Sequence, residues 1–273
     1  MPEVEVGDAR IFYEQVGSGG DIVWVPGGDQ PGSDWHLYQV PHFSDRWRNT
    51  TYDPRGVGRT VAPGASAWSI ADHAEDTVAV IRAVCDPPVV LIGLSMGSLI
   101  TQEVCLSYPE LVRVGIAMGT GPDAPGFSGE WMRAEVEFRR QGGTLPEDFA
   151  VTHYGVFMYP SEVIGDPELW AKVRPVVAGA YGTRTGVDLA AQWEGCIDFD
   201  SVDRLPGCEV PLHVIGFSQD VQAPPAMGRR VAELAPKGEF HLLEGLGHCS
   251  LFGHRPEVVN RCIDEILETV GGA

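Results

Sequence analysis

Ser95 lies in Gly93-Leu94-Ser95-Met96-Gly97, between the apolar run Val89 to Leu94 and the helix-compatible run Ser98 to Val104. A hydroxyl at a sharp strand-to-helix turn stands clear of a sheet edge. It also faces the amide N–H groups that open the helix, which is the setting a nucleophile needs. Side chains at Gly93 and Gly97 would collide with neighbouring chain in so tight a turn. A serine hydroxyl is nonetheless a poor nucleophile at neutral pH. It needs a base, itself oriented by a carboxylate, and the order expected after a turn of this kind is Ser, acid, His.

Among eight histidines, His248 is the best placed. It sits in Leu246-Gly247-His248, after a late strand and before the last helix, where glycine lets the backbone aim an imidazole. His254 is its rival, but directly before a helix opening it reads as a cap or surface residue. His213 and His241 lie within strands and read as packing residues. For the acid, Asp220 follows the strand that ends near Gly216 and precedes Pro224-Pro225. Open α/β sheets place their sites at such strand ends. Asp123, after the strand ending near Met118, is the alternative.

Acyl chemistry also requires donors for the charge that develops on a carbonyl oxygen. The N–H of Met96, next after Ser95, is one. Gly28, in the turn Pro26-Gly27-Gly28 after an early strand, is the other candidate, because its backbone can approach closely.

These groups must be held by a regular frame. Val4–Val6, Arg10–Val16, Asp21–Val25, Arg48–Tyr52, Val89–Leu94, Val112–Met118, Val210–Gly216 and Glu239–Leu243 read as strands. Ser69-Ile70-Ala71-Asp72 reads as a capping box that opens a helix through about Cys85. Helices are also expected after Ser95, over Pro224–Leu234 and over Pro256–Val270. Alternating strands and helices imply βαβ units and a mostly parallel sheet. Residues 121–206 break this pattern with short helical stretches, and eleven of the chain's 24 aromatics fall within 121–209. The segment is expected to be an insertion over the active edge of the sheet, with most of its aromatics packed internally. The domain reading is a core of residues 1–120 and 207–273 carrying a helical cap of 121–206.

Taken together, the Pro26-Gly27-Gly28 turn, Asp53-Pro54-Arg55-Gly56-Val57-Gly58, the Ser95 turn, Asp220 and Gly247-His248 occur in an order that resembles the α/β-hydrolase superfamily over nearly the whole chain. The resemblance implies an α/β fold with an eight-stranded, mostly parallel sheet flanked by helices and a helical cap inserted after the sixth strand. It implies Ser95 as nucleophile, Asp220 as acid and His248 as base. Two departures stand out. Pro26-Gly27 replaces the usual His-Gly, and His254 stands where a carboxylate is common. Haloalkane dehalogenases and soluble epoxide hydrolases carry aspartate at the turn, so Ser95 argues against both. Asp53 to Gly58 is expected to buttress the site rather than clamp a substrate.

The expected activity is that of a serine hydrolase on a small, largely apolar carboxylic ester or lactone, with no cofactor and no metal. C–C bond hydrolysis, thioester hydrolysis, a lyase or cyclase reaction, and ligand sensing remain open on the same scaffold. The 38 acidic against 19 basic residues give a net charge of −19, which argues against nucleic-acid or anionic-membrane partners. A small-molecule substrate is the expected partner, and a homodimer stays open. No secretory signal is visible in Met1 to Gln15 and no apolar run approaches membrane-spanning length. Six scattered cysteines without a C-x-x-C pair fit a reduced, cytoplasmic protein.

Overall fold

Strands buried on both faces form the centre of the molecule. In the computed structural model, which describes residues 2–64, 67–181 and 186–271, eight strands form one sheet. They are β1 (Glu3–Val6), β2 (Ala9–Val16), β3 (Gly20–Val25), β4 (Trp47–Tyr52), β5 (Val89–Leu94), β6 (Val112–Met118), β7 (Leu212–Phe217) and β8 (Gly238–Leu243). Their order is β1-β2-β4-β3-β5-β6-β7-β8. The two pairings of β2 are antiparallel and the rest parallel. Every residue of β5 and β7 is buried, as their near-continuous apolar runs require of parallel strands covered on both faces.

The helices are α1 (Gln39–Phe43), α2 (Ile70–Val84), α3 (Met96–Ser107), α4 (Gly126–Arg140), α5 (Glu147–Met158), α6 (Ser161–Gly165), α7 (Pro167–Tyr181), α8 (Gly186–Ile197), α9 (Pro225–Leu234) and α10 (Pro256–Thr269). α2 opens with the expected capping box. Ser69 Oγ accepts from the Asp72 N–H, and Asp72 accepts from the Ser69 N–H. Its apolar stripe, Ile70, Ala74, Val78 and Ile81, packs with α3 and α9 on one face of the sheet. α1 and α10 cover the other face through residues such as Phe43, Val259 and Ile263.

Helices α4 to α8 lie between β6 and β7 and carry a core of their own, including Val151, Tyr154, Met158, Val177 and Trp193. Tyr154 and Tyr159 are buried there, whereas Phe127 and Phe149 are exposed. The side chain of Tyr181 lies outside the described residues. α8 rests directly on the segment that opens α2. The Trp68 N–H donates to the Ala191 carbonyl, and a methyl group at Gly195 would come within 2.1 Å of the Trp68 carbonyl.

β7 departs from its expected span by starting at Leu212 and running through Phe217. Pro211 has no N–H to give a ladder, while Phe217 still pairs with Leu243. Among the described residues no helix is long and apolar enough to cross a membrane. The described cysteines are all free, and Cys105, Cys196, Cys208 and Cys262 are buried.

Candidate active site

The register of the parallel strands gathers the chemistry at one edge. Val25 pairs with Gly93, Leu94 with Met118, Met118 with Ile215 and Phe217 with Leu243. The turns after β3, β5, β6, β7 and β8 therefore emerge side by side.

Ser95 follows β5 with φ 55° and ψ −123°, a left-handed conformation that a residue with a side chain adopts only under constraint. The constraint is visible in its neighbours. A methyl group at Gly93 would lie 2.0 Å from the Gly97 carbonyl oxygen, and one at Gly97 would lie 2.2 Å from that of Val25. No side chain fits at either place, so the turn closes only with glycine at both of these positions. The Ser95 N–H donates to the Met118 carbonyl at 3.0 Å, tying the turn to the end of β6.

Asp220 and His248 meet at the ends of β7 and β8. The His248 Nδ1 lies 2.6 Å from Asp220 Oδ2, with side chains 5% and 0% exposed. The other carboxylate oxygen accepts the N–H groups of Gln222 and Ala223, each at 2.9 Å. The carboxylate is thus held by backbone before it touches the imidazole. With Nδ1 donating to Asp220, Nε2 carries the lone pair, and it is buried without a hydrogen-bond partner. Ser95 and His248 both line a cavity of about 130 Å³ at this edge. The alternative acid, Asp123, lies in the same cavity wall but pairs with Arg230 at 3.2 Å instead.

Gly28 and Met96 line the cavity as well. Within the turn after β3, the Gly27 and Asp29 N–H groups are taken by the side-chain oxygens of Gln30 and Gln192, at 2.8 and 2.7 Å. The Gln30 N–H donates to the Gly27 carbonyl and Pro26 has no N–H, so Gly28 carries the turn's remaining donor. Met96 is the first residue of α3, where N–H groups have no acceptor within the helix. Asp53 to Gly58 stays outside the cavity. Arg55 instead binds Asp76 through two bonds of 2.7 and 2.9 Å, and its carbonyl accepts from Gln192 Nε2 at 2.6 Å.

His254 is neither a cap nor a surface group. Its side chain is 3% exposed and its Nδ1 lies 3.0 Å from Ser250 Oγ, which in turn accepts the Gly247 N–H. Arg255 is the residue that precedes α10, and its side chain makes no capping bond. His254 therefore shapes the loop that presents His248. Burial, with the Asp220 charge adding to it, pushes the neighbouring Cys249 thiol well up, keeping it protonated.

Three residues of the site carry no local signature. Gly119 has φ 55°, and a methyl group there would lie 2.9 Å from the His248 ring and 3.3 Å from Asp220 Oδ2. Its place immediately after a buried strand was the available signal. Gln30 and Gln192 fix the Gly28 turn through polar side chains that nothing in the sequence sets apart from surface amides.

Residues 22–261 match the alpha/beta hydrolase family. A Mycobacterium tuberculosis protein bearing the provisional name non-heme bromoperoxidase BpoC is 29% identical over 270 residues, which span 96% of this chain and 98% of the relative. Its crystal structure superposes with a TM-score of 0.89 at 27% identity, covering 96% of this chain and 97% of that one. The 3-oxoadipate enol-lactonase 2 of Acinetobacter baylyi is 24% identical over 230 residues, 84% of this chain and 82% of the relative. The enol-lactonase of Burkholderia xenovorans LB400 shares the fold, with a TM-score of 0.87 at 20% identity over 98% of this chain and 100% of that one. The family match over most of the chain, with sheet order and strand-end turns to correspond, establishes that this chain belongs to the alpha/beta hydrolase family.

Proposed function

We propose that this chain is a serine hydrolase that cleaves a small, largely apolar carboxylic ester or lactone. The observation that carries the proposal is the Asp220–His248 pair at 2.6 Å, whose partnerless Nε2 shares a cavity with the constrained Ser95. In this reading His248 Nε2 takes the Ser95 proton as Oγ attacks the carbonyl carbon. Asp220 holds the tautomer and balances the imidazolium. The Gly28 and Met96 N–H groups receive the developing oxyanion. His248 then protonates the departing alkoxide. Water, deprotonated by the same imidazole, releases the acid and restores Ser95.

The wall of the cavity supports the substrate class. Leu99, Met132, Met158, Val176, Trp131 and Trp193 contribute apolar surface, and the volume is of the order of the roughly 150 Å³ that accepts a benzene-sized guest. Helices α4 to α8 supply five of those six residues, so residues 121–206 act as the cap that selects the acyl or alkoxy group. The enol-lactonase relative adds support for a lactone.

Ser95→Ala is expected to reduce turnover of nitrophenyl esters to background, and a fluorophosphonate should label wild-type Ser95 alone. Retained turnover, or labelling elsewhere, overturns the assignment. A second reading, oxidation of bromide by peroxide, rests on the name of the mycobacterial relative. Bromination assayed in wild type and in Ser95→Ala distinguishes it from ester cleavage.

A further inference from the structure

The opposite end of β7 and β8 holds a second cluster of ionisable groups. In the parallel register His213 lies beside Glu239, and Ile215 beside His241. Alternation along the strands therefore sends His213, Glu239 and His241 to one face, the face on which Ile215 packs with α10. The His213 Nδ1 is 3.0 Å from His241 Nε2 and 3.9 Å from a Glu239 carboxylate oxygen, and the three ligand atoms lie within 4.8 Å of one another.

The imidazoles meet edge to edge, with centroids 5.3 Å apart and planes inclined by 25°. Their facing nitrogens, hydrogen-bonded to each other at 3.0 Å, lie beside the Glu239 carboxylate. The His213 side chain is 4% exposed and that of Glu239 is 68% exposed, giving a buried anchor with an entrance from solvent. Glu265 of α10 lies near enough for its charge to act on His241.

We propose that His213, His241 and Glu239 bind a divalent transition-metal ion of the zinc type, clipping the edge strand β8 to β7. A tetrahedral ion with bonds of about 2.0–2.1 Å to nitrogen sets its ligand atoms roughly 3.3 Å apart. The observed 3.0 and 3.9 Å bracket that spacing, and a rotation of each ring turns its lone pair from the other imidazole onto the ion. Two imidazoles and a carboxylate suit zinc and its neighbours rather than magnesium. Without metal, one imidazole donates N–H to the other. On binding, that proton moves to the donor ring's other nitrogen, so both lone pairs face the ion and no net proton is released. Water or Glu265 completes the fourth position. The proposed hydrolytic site lies at the far ends of these strands, so the two proposals stand or fall separately.

The test is calorimetric titration of the chelator-stripped, full-length protein with zinc chloride, repeated with cobalt to read the visible bands of tetrahedral coordination. One ion should bind per chain, and a hundredfold excess over Kd should raise the melting temperature by roughly 5 °C or more. His241→Ala should weaken binding at least about a hundredfold and Glu239→Gln about tenfold. Both should leave ester turnover unchanged. Magnesium should produce no heat. Absence of saturable one-to-one zinc binding by the wild type, or undiminished binding by His241→Ala, overturns the proposal. Because Glu239 is exposed, unchanged affinity in folded Glu239→Gln removes the carboxylate from the site and overturns the three-ligand assignment.

Discussion

His73 and His248 are both buried, and each has an Nε2 that finds no hydrogen-bond partner. Their surroundings differ. His73 faces inward from α2, edge-on to Trp68, with the Arg55 guanidinium near enough to repel a second positive charge. Burial, followed by that repulsion, lowers its pKa to about 4, so it stays neutral at any physiological pH. His248 instead has a carboxylate at 2.6 Å on one nitrogen and a cavity shared with Ser95 at the other. An unsatisfied ring nitrogen is therefore no mark of catalysis by itself. What sets His248 apart is a carboxylate placed to balance a positive charge and an open volume beside the nitrogen that carries the lone pair.

The comparison can be broken most sharply at the carboxylate. Asp220→Asn should lower kcat for nitrophenyl esters by about 10⁴-fold, and His248→Gln by at least as much. The double variant should be little worse than either single one, because the pair acts as a unit. His73→Gln should leave kcat within a fewfold of wild type. Parallel losses at both histidines, measured by steady-state kinetics on folded variants, would erase the distinction.

A smaller effect is expected from crowding the donor turn. In Gly28→Ala the new methyl would lie 2.9 Å from the Trp193 indole nitrogen. Something must move, and the loss in kcat should be about 10- to 100-fold with KM less affected. An unchanged kcat would remove Gly28 from the chemistry.

His73 sharpens the comparison through stability rather than rate. Its unfolded pKa is about 6.5 and its folded value about 4, so between these values the unfolded chain binds the extra proton. Stability is therefore present above about pH 6.5 and lost as the pH falls towards 4. Between pH 7 and 5 the loss is about 2 kcal/mol. Denaturant melts at the two pH values measure it, and His73→Gln should flatten this part of the dependence. A slope indifferent to that substitution would contradict the buried neutral imidazole.

The Ser95 turn was legible because its meaning is local. Glycine, serine and glycine in five residues, after an apolar run, constrain the backbone regardless of what lies elsewhere. Asp220 and His248 were legible through topology, since parallel strands deliver their following loops to one edge. Gly119 and Gln192 were not. Gly119 is needed because His248 approaches it from 129 positions along the chain, and Gln192 acts on Asp29 across 163 positions. His254 differs, because the contact that places it is local, with Ser250 four positions earlier. The proximity of a helix start suggested a cap, whereas a serine hydroxyl on the preceding turn draws the ring inward.

Gln192 also carries a consequence for how the parts are joined. Its amide has an acceptor end and a donor end, and α8 places one on the Asp29 N–H and the other on the Arg55 carbonyl. Loss of this one amide would therefore release the Asp29 N–H and the Arg55 carbonyl together and remove the side chain that ties the Gly28 turn to α8. A single side chain thus couples the donor turn, the Arg55 loop and α8 into one unit.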